Sequence, residues 1–444
     1  MSRLDCRASL ATTEEGDFSE YYLSSVWVSN FKNIRVRILF LSHYFPPEVN
    51  APASRTYDHC KQWVADGHQV TVVTCAPNHP RGVVYPGYSN RLFQRETKDG
   101  VEVVRVWTYV TANEGFVKRT LNYVSFMLSS ILVALFVGKA DVVLTTSPQF
   151  FNGLAGFFVS KLKRAPWVLE IRDLWPESIL AVGAIKNRAI IRVLEYLELF
   201  AYRHARALVP VTDAFKRYMV AKGIPANKIT VIKNGVNLEF YRVAEGTNPL
   251  RKELELEGKF IAAYFGTHGM AHHLETIFEA ATLLKENAEI VFLLVGDGAE
   301  RGRLRRLLDG LQLKNVRMLD QQPKEKMPFL WGLCDVSLVL LRKSELFKTV
   351  IPSKIFESMG MRRPIILGVE GESADIIRLA EAGFCIEPEN ANQMAERVLE
   401  LYKNRDLVRQ LGDNGRRHVA EHFDRVHLAR KYEDVLARVI GTIP

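Results

Sequence analysis

The sequence predicts an α/β protein that consists of two Rossmann-like lobes. Its 444 residues exceed what a single hydrophobic core usually organises, so two domains are expected. Short runs rich in Val, Ile and Leu alternate with helical patterns, which is typical of a parallel sheet covered on both faces. The alternation starts again near Phe260, and this restart predicts the second lobe.

The first lobe begins with a strand, a loop and a helix in succession. The strand is expected at 37–42, the loop at 45–54, where three prolines occur, and the helix at 55–66. Further β-rich runs follow at 68–74, 101–107, 141–145, 167–171, 207–211 and 229–232. The turn at Asn234-Gly235 leads towards a linker, so we assign residues 34–238 to this lobe.

The second lobe repeats the pattern. Helices are expected at 274–285 and from Arg301 onward, and strands at 260–265, 290–295, 316–319, 336–340 and 364–368. We assign residues 239–424 to this lobe and 425–444 to a terminal helix. Ligands of such sheets bind beyond the carboxyl ends of the strands, so a site is expected in the loops that follow them.

The composition favours an anionic partner. The net charge is +9, which suits a diphosphate, an anionic bilayer or nucleic acid. Nucleic acid is rejected because no recognition module occurs and the basic residues are scattered. The 5 cysteines lie far apart without the spacing of a zinc site, so we interpret them as reduced structural thiols. The chain also shows no Asp-x-Asp pair in a loop suited to hold a magnesium-bound diphosphate, so neither a metal nor another cofactor is expected.

The segment Ile351–Met359 carries the most specific chemical pattern. Pro352 suits the first turn of a helix, Ser353 can bond to the free N–H groups there, and Lys354 adds a positive charge. Glu357 falls one turn after Ser353, where an ionised carboxylate can accept two hydrogen bonds from a ribose diol. These residues predict a nucleotide diphosphate site. The alternative is an amphipathic helix with Ser353 as an ordinary cap and Glu357 as a surface charge.

The same segment resembles the Pro-Ser-Lys-x-x-Glu signature of family 4 glycosyltransferases, especially the bacterial fucosaminyltransferase-like branch of surface polysaccharide biosynthesis. Matching motifs lie in register at 43–48, 78–82, 172–177 and 232–237, and the resemblance covers roughly residues 34 to 425. It implies a GT-B fold, in which the two lobes face a central cleft. The resemblance also implies that the terminal helix packs back on the first lobe.

Residues 1–33 form an acidic leader without an evident counterpart in that family. We interpret the leader as a disordered extension or as the product of a misassigned start codon. It lacks an apolar run of signal-peptide length, so we expect a cytoplasmic protein.

The donor is expected to bind in glycine-containing loops of the second lobe. The loop 266–269 follows a strand and can bring backbone N–H groups close to a diphosphate, although a tight turn without a ligand is the simpler alternative. The resemblance implies that the loop 296–300 approaches the nucleotide base. The predicted donor-binding residues are Gly266, Thr267, Gly269, Gly296, Gly298, Thr349, Val350, Ser353, Lys354 and Glu357.

The sequence departs from the wider family at this site. Many members carry Arg and Lys in and after the first glycine loop, whereas this chain has histidines at 268, 272 and 273. Histidine is only partly protonated near neutral pH, so Lys354, helix N-termini and Arg342 or Lys343 are expected to neutralise more of the diphosphate. Thr349 stands where many members have a glutamate that contacts the transferred sugar, so sugar recognition does not carry over.

The acceptor is expected to bind at the strand ends and loops of the first lobe. The candidates there are His43, Asn78, His79, Arg81, Arg172 and Asp173. Each has a structural alternative, such as a turn cap for His43 or an ion pair between Asp173 and Arg172. Many members place a histidine where this chain has Ser147-Pro148, so no catalytic histidine carries over. We rank Asp173 first as the acceptor-orienting or proton-accepting group, and the predicted catalytic set is Asp173, Lys354 and Glu357.

The stretch 120–138 contains no charged residue and follows Lys118 and Arg119. Polar Asn122, Ser125 and Ser129 fall on one helical stripe, so we prefer a helix that lies in a membrane interface and faces anionic lipid. A buried helix of the first lobe is the alternative.

These observations predict a glycosyltransferase, and the family resemblance alone implies that it acts with retention of the anomeric configuration. It would move a sugar, for example an N-acetylated amino sugar, to a polyprenyl-linked glycan acceptor at the inner face of the cytoplasmic membrane. The resemblance implies a UDP-linked donor, because that branch commonly uses UDP sugars. The expected process is capsule, O-antigen or exopolysaccharide assembly. The alternatives are a nucleotide-sugar epimerase of the same fold and a catalytically inactive nucleotide-sugar-binding membrane-assembly protein.

Overall fold

Two α/β lobes, each built on a largely parallel sheet, make up the computed structural model, which describes residues 35–79, 81–111, 116–181, 187–242 and 248–441. The predicted fold class is confirmed. The predicted leader lies outside the described residues. Adjacent residues on a strand face opposite cores, so Leu39 and Leu41 belong to one hydrophobic cluster and Ile38 and Phe40 to another. This two-sided burial explains the unbroken apolar runs in the sequence.

The sheet of the first lobe has seven strands in the order β3-β4-β2-β1-β5-β6-β7. Their bounds are β1 (Arg37–Leu41), β2 (Gln69–Cys75), β3 (Phe93–Lys98), β4 (Val101–Val106), β5 (Val142–Thr146), β6 (Trp167–Ile171) and β7 (Ala207–Pro210). Edge strand β3 runs antiparallel to β4 and was not predicted, because its polar residues do not form an apolar run. The strand expected at 229–232 is wrong, since only an isolated bridge joins Ile229 to Leu208.

The helices of the first lobe cover both faces of its sheet. Their bounds are α1 (Ala51–Ala65), α2 (Phe116–Val133), α3 (Phe150–Lys163), α4 (Glu177–Ala181), α5 (Arg188–His204) and α6 (Asp213–Ala221). Helix α1 begins earlier than predicted because Asn50 Oδ1 accepts a hydrogen bond from the Ala53 amide at 2.8 Å and Pro52 suits the first turn.

The sheet of the second lobe has six strands in the order β10-β9-β8-β11-β12-β13, and its strand pairs are parallel. The strands are β8 (Phe260–Phe265), β9 (Ile290–Val295), β10 (Val316–Leu319), β11 (Val336–Leu340), β12 (Ile365–Gly368) and β13 (Gly383–Cys385). The helices are α7 (Pro249–Glu253), α8 (Glu275–Leu283), α9 (Arg301–Leu311), α10 (Met327–Leu333), α11 (Lys354–Gly360), α12 (Glu372–Leu379), α13 (Ala391–Lys403) and α14 (Arg405–His422). The three-residue strand β13 was too short to be predicted.

The last helix, α15 (Arg425–Ile440), packs on the first lobe although it follows the second lobe in sequence. Trp63 of α1 donates its indole N–H to the Ala429 carbonyl at 3.0 Å, and both residues are buried beside Tyr432. Arg425 forms a buried ion pair with Asp58 of α1. The C-terminal helix α15 therefore forms part of the hydrophobic core of the first lobe.

The carboxyl edges of the two sheets approach each other. Arg81, in the loop after β2, lies 3.9 Å from Asp297, in the loop after β9. Lys324 of the second lobe donates a hydrogen bond to the Ser54 hydroxyl of α1 at 3.1 Å. These contacts define a cleft between the lobes, and the loops expected to hold a ligand line it.

Helix α2 is partly buried and partly exposed. Phe126 and Val133 pack in the core of the first lobe, whereas Leu128 and Leu132 are more than half exposed. The polar stripe faces inward at Asn122, whose amide donates to the Tyr109 carbonyl at 2.8 Å. Within the described ranges, no helix combines the length and the hydropathy that crossing a bilayer requires.

Candidate active site

Lys354, the first residue of α11, directs a buried amine towards the glycine loop after β8. Its Nζ atom lies 3.8 Å from the centroid of the Tyr264 ring and has no hydrogen-bond partner. Burial lowers the pKa of Lys354 to about 7, although Glu357 nearby favours the charged form. The face of the Tyr264 ring stabilises the charged amine but does not neutralise it. The amine is therefore free to form a hydrogen bond with an anionic ligand.

Glycines at 266, 296 and 298 allow the two loops to meet. A Cβ atom on Gly266 would lie 2.9 Å from Lys354 Nζ, and one on Gly296 would lie 1.8 Å from the Gly266 carbonyl oxygen. One on Gly298 would lie 2.5 Å from the His268 carbonyl oxygen. Backbone oxygens exclude a side chain at Gly296 and Gly298, and the φ of 141° at Gly266 disfavours one there, so the two loops can pack closely against each other beside Lys354.

Two histidines of this site, His268 and His272, are neutral near pH 7. His268 is fully buried, and neither ring nitrogen has a hydrogen-bond partner. Burial, with Arg301 and Lys354 nearby, lowers the pKa of His268 to about 4. Burial, followed by the charge of Lys354, lowers the pKa of His272 to about 3. Neither histidine supplies positive charge near neutral pH, which agrees with the expectation that Lys354 carries more of it.

The residues before α11 differ in part from expectation. Ser353 makes no side-chain capping bond, so its predicted capping role is wrong. The Thr349 hydroxyl donates to the Leu346 carbonyl at 2.7 Å, and the Val350 carbonyl accepts from Ser373 at 2.8 Å. Lys343 forms an ion pair with Glu387 at 2.7 Å on the surface. Its charge is therefore already compensated there and is not directed at Lys354.

Glu357 lies on the cleft side of α11 in a strongly charged environment. Burial raises the pKa of Glu357, whereas Arg425 and Lys324 and a hydrogen bond from Tyr241 act in the opposite direction. The carboxylate is thus surrounded by donors and cations, which hold it in a fixed position. A surface charge is the wrong description of Glu357.

Asp173 and Arg172 form a turn at the end of β6. Ser147 accepts hydrogen bonds at its Oγ atom from the amides of Arg172 and Asp173, at 2.7 and 3.3 Å. Burial raises the pKa of Asp173 to about 6, and Arg172 opposes this shift. Asp173 also lines a small cavity with Trp175. The carboxyl group can accept a proton near neutral pH, as a general base requires.

His43 and Asn78 have structural contacts. The Gln149 amide donates to His43 Nδ1 at 2.8 Å, and burial lowers the pKa of His43 to about 3. The Asn78 amide donates to the Ala76 carbonyl at 2.7 Å. Both side chains are buried, so their role is to hold neighbouring residues of the acceptor side in place by hydrogen bonds.

His79 and Arg81 are more accessible and lie on a loop held by Glu48. Glu48 Oε1 accepts hydrogen bonds from the amides of Asn78 and His79 at 2.8 and 2.9 Å. The Arg81 side chain is 82% exposed and reaches the donor loop at Asp297. This contact brings one acceptor candidate and one donor loop together across the cleft.

Sequence reasoning missed several residues that organise the cleft. Glu170, the fourth of the five residues of β6, forms an ion pair with Arg55 at 3.1 Å, with both side chains almost fully buried. Arg55 also donates to the carbonyls of Lys233 and Ile232, which lead to the second lobe. The available signal was the carboxylate of Glu170 inside an otherwise apolar run. In the described ranges, no cluster of His, Cys, Asp or Glu is arranged to hold a metal ion.

Comparisons with known proteins agree with this architecture. A family model described as "Glycosyl transferase 4-like domain" matches residues 50–235, and one described as "Glycosyl transferases group 1" matches residues 247–418. A protein of Escherichia coli (strain K12), named as a colanic acid biosynthesis glycosyl transferase, WcaI, is 25% identical over 393 residues. That match covers 85% of this chain and 96% of the Escherichia coli protein.

Solved structures share the two-lobed fold. Sucrose-phosphate synthase from Thermosynechococcus elongatus has a TM-score of 0.72 and 17% identity, over 92% of this chain and 100% of that one. Anabaena Alr3699/HepE, solved in complex with UDP-glucose, has a TM-score of 0.67 and 17% identity, over 91% and 100% of the two chains. The two family models together match most of the chain, one on each lobe. The chain therefore belongs to the family 4-like, group 1 glycosyltransferases and has their GT-B fold.

Proposed function

We propose that this glycosyltransferase transfers a sugar from a UDP-linked donor to a lipid-linked glycan in the assembly of a bacterial surface polysaccharide. The observation that carries the proposal is the buried, unpartnered amine of Lys354 against the glycine loops. The similarity to WcaI, whose name refers to colanic acid biosynthesis, supports the process. The UDP-glucose complex of a protein with the same fold supports the donor class.

The Lys354 ammonium group would stabilise the departing diphosphate. As the bond between the anomeric carbon and the diphosphate oxygen breaks, negative charge accumulates on the phosphate oxygens. A fixed cation in a buried site stabilises that charge more than it stabilises the intact donor. The N–H groups of Gly266 and Gly296 already donate to the Val295 and Leu319 carbonyls, at 2.9 and 3.3 Å, so these glycines would contribute a close approach of the backbone and not additional donors.

The acceptor hydroxyl would bond to the anomeric carbon and release its proton. Asp173 is suited to accept that proton because its pKa of about 6 leaves it ionised at neutral pH. The leaving phosphate oxygen is the other acceptor for the proton. Transfer with retention of configuration is inferred from the family resemblance. Because Thr349 replaces the glutamate that contacts the transferred sugar in many family members, we expect the sugar to be bound by different groups in this chain.

Nucleotide binding is the first experiment. UDP, GDP and ADP are titrated calorimetrically into the wild type, Glu357→Ala and a control, Glu396→Ala, which removes an exposed carboxylate from α13 of the same lobe. We expect selective UDP binding, weakened by about 1.5 to 3 kcal/mol in Glu357→Ala and unchanged in the control.

Equal UDP affinity in a folded Glu357→Ala protein would reject the ribose role of Glu357, and preference for another base would reject a UDP donor. Product analysis then separates the reaction classes. UDP released in proportion to glycan elongation supports transfer, whereas a changed nucleotide sugar in the absence of acceptor would indicate epimerisation.

The exposed apolar face of α2 supports contact with a bilayer. Leu121, Leu128 and Leu132 are 51%, 52% and 62% exposed on this helix, and its first turn carries the exposed Lys118. An apolar helix face next to cations binds the interface of an anionic membrane. A lipid-linked acceptor would then be presented to the cleft from that surface.

Vesicle cosedimentation tests this surface. A Leu121→Ser, Leu128→Ser, Leu132→Ser variant should lose most of its binding to vesicles that contain phosphatidylglycerol. The matched control removes three exposed leucines from the second lobe: Leu283→Ser, Leu311→Ser, Leu379→Ser. Equal binding by the two variants would reject α2 as the membrane surface.

A further inference from the structure

A second, strongly basic groove lies at the edge of the first sheet opposite the cleft. It has a volume of about 860 Å³ and is bordered by the segments that begin β6 and β7, near Trp167 and Ala207. Asp173 and the other acceptor candidates follow the opposite ends of strands in this sheet. A strand of five residues separates the two edges by about 15 Å, so the groove is distinct from the proposed donor and acceptor sites.

Six cationic side chains line this groove and the described lining contains no Asp or Glu. They come from three helices and three connecting segments: Lys161, Arg164, Arg203, Arg206, Lys228 and Arg438. None of them forms an ion pair with a described residue, in contrast to Arg251, Arg301 and Arg303 of the second lobe. Asp434, outside the groove lining, interacts electrostatically with Arg438, but the groove itself still concentrates positive charge.

Internal contacts compensate only a small part of this charge. Lys161, Arg203 and Arg438 lie in the last turns of their helices, where backbone carbonyls favour a cation. Three helix C-termini provide about 1.5 negative charges against six positive ones. Lys228 donates to the Arg203 carbonyl at 2.7 Å, and burial together with the nearby Arg206 lowers the pKa of Lys228. An anion in the groove would relieve this repulsion.

The chemistry of the groove matches phosphate. Arginine binds phosphate oxygens through two parallel N–H donors, and this groove offers four arginines beside two lysines. Its volume is in the range of ligand pockets and exceeds the space that a single phosphate needs. Exposed Phe158 and Leu162 lie on α3, the helix that contributes Lys161 to the groove.

We infer that the basic groove is a binding site for a phosphate-bearing anion, either a free polyphosphate or the headgroup of an anionic lipid. The inference does not depend on the proposed transfer reaction, because no residue of the groove belongs to the cleft. A ligand here would anchor or regulate the first lobe without occupying the donor or acceptor site.

Binding to two probes tests the inference and identifies the source of the phosphate. Inorganic pyrophosphate is titrated into the full chain calorimetrically, and vesicles of phosphatidylglycerol with phosphatidylcholine are cosedimented with it. The groove variant is Arg206→Gln, Lys228→Gln, Arg438→Gln. The control variant, Lys61→Gln, Arg91→Gln, Arg217→Gln, removes the same charge from exposed positions of the first lobe.

We expect the groove variant to bind at least one probe about tenfold or more weakly than the control variant does. Loss of pyrophosphate binding identifies a free anion, and loss confined to vesicles identifies a lipid headgroup. Equal binding by the two variants, equal weakening in both, or no binding of either probe by the wild type would overturn the inference.

A measurement on the wild type covers the case in which the groove variant does not fold. Hydrogen exchange at 203–207 and 226–230 is compared with and without pyrophosphate, and with and without the vesicles. Slower exchange in these segments with either probe supports the site, and unchanged exchange with both rejects it.

Discussion

The amine of Lys354 is buried and forms no hydrogen bond with the protein. Its protonation state should therefore depend on whether an anionic ligand is bound. Its pKa of about 7 in the unliganded protein is well below the usual value because burial disfavours the charged form. A bound diphosphate favours that form and raises the pKa. Donor binding should therefore take up a proton whenever the pH lies above about 7.

UDP affinity should consequently fall as the pH rises. Between about pH 7.5 and 8.5 the nucleotide itself keeps its charge, because the diphosphate is ionised and the uracil N3–H is still protonated, so the dissociation constant should increase by up to about tenfold per pH unit. In Lys354→Arg the side chain stays protonated throughout, and the dependence should become shallow. Calorimetry across this range measures the effect. The same slope in both proteins would show that another group takes up the proton.

Asp173 provides the second prediction at this scale. Because its pKa of about 6 is raised by burial, the carboxylate form increases as the pH passes through 6, and the rate of UDP release with donor and acceptor should rise over the same interval. Asp173→Asn should lower the turnover number by about 10² to 10⁴ and leave UDP affinity unchanged.

The control for Asp173 is Asp309→Asn, which changes an exposed carboxylate of α9. Turnover within about threefold of wild type in Asp173→Asn would mean that the leaving phosphate takes the proton. That outcome would leave Asp173 as part of the turn that Ser147 holds, and would contradict its assignment as the base.

At the scale of elements, β6 connects the acceptor side of the cleft to the interior of the first lobe. Glu170 points from this strand to Arg55 of α1, and Thr146 of β5 donates to the same carboxylate at 2.8 Å. Arg55 and Arg172 would both be left without their carboxylate if Glu170 were neutral. Removing one member of a buried ion pair costs much more than the pair contributes.

Glu170→Gln should therefore destabilise the first lobe by about 3 to 5 kcal/mol. Urea denaturation measures the loss as a lower midpoint of the first unfolding transition. The matched control is Glu102→Gln on β4, whose carboxylate pairs with Arg95 at 3.6 Å while both side chains stay partly exposed. That change should cost less than about 1 kcal/mol. Similar midpoints for the two variants would contradict the role of the buried pair.

The elements that could be predicted are those whose pattern is local. Apolar runs identified β1, β5 and β8, because burial on both faces leaves little choice of residue. Strand β3 has no such pattern, and its place depends on pairing with β4. The motif around Lys354 was found because its residues are close in sequence. Glu48 and Ser147 act on loops at least 25 positions away, and no local pattern reveals such contacts.

At the scale of the whole molecule, polar contacts between the lobes act together with the packing of α15 on the first lobe. Glu372 at the start of α12 accepts hydrogen bonds from the amides of Asp213 and Ala214, both at 3.2 Å, at the start of α6 in the first lobe. Lys233 lies between the lobes and contacts both Glu372 and Asp213 at 2.8 Å. A carboxylate of the second lobe thus caps a helix of the first.

Loss of this contact should loosen the closed arrangement of the lobes. In Glu372→Ala the first amides of α6 lose a charged acceptor, a change of about 1.5 to 3 kcal/mol, so hydrogen exchange at 213–214 should become at least about tenfold faster. The radius of gyration from X-ray scattering should increase because the cleft opens. The control is Glu370→Ala, whose carboxylate lies 3.8 Å from Lys348 of its own lobe.

If UDP restores slow exchange in Glu372→Ala, donor binding and lobe closure are coupled, because the ligand replaces the missing contact. Unchanged exchange and scattering in Glu372→Ala would instead show that α15 alone holds the lobes together.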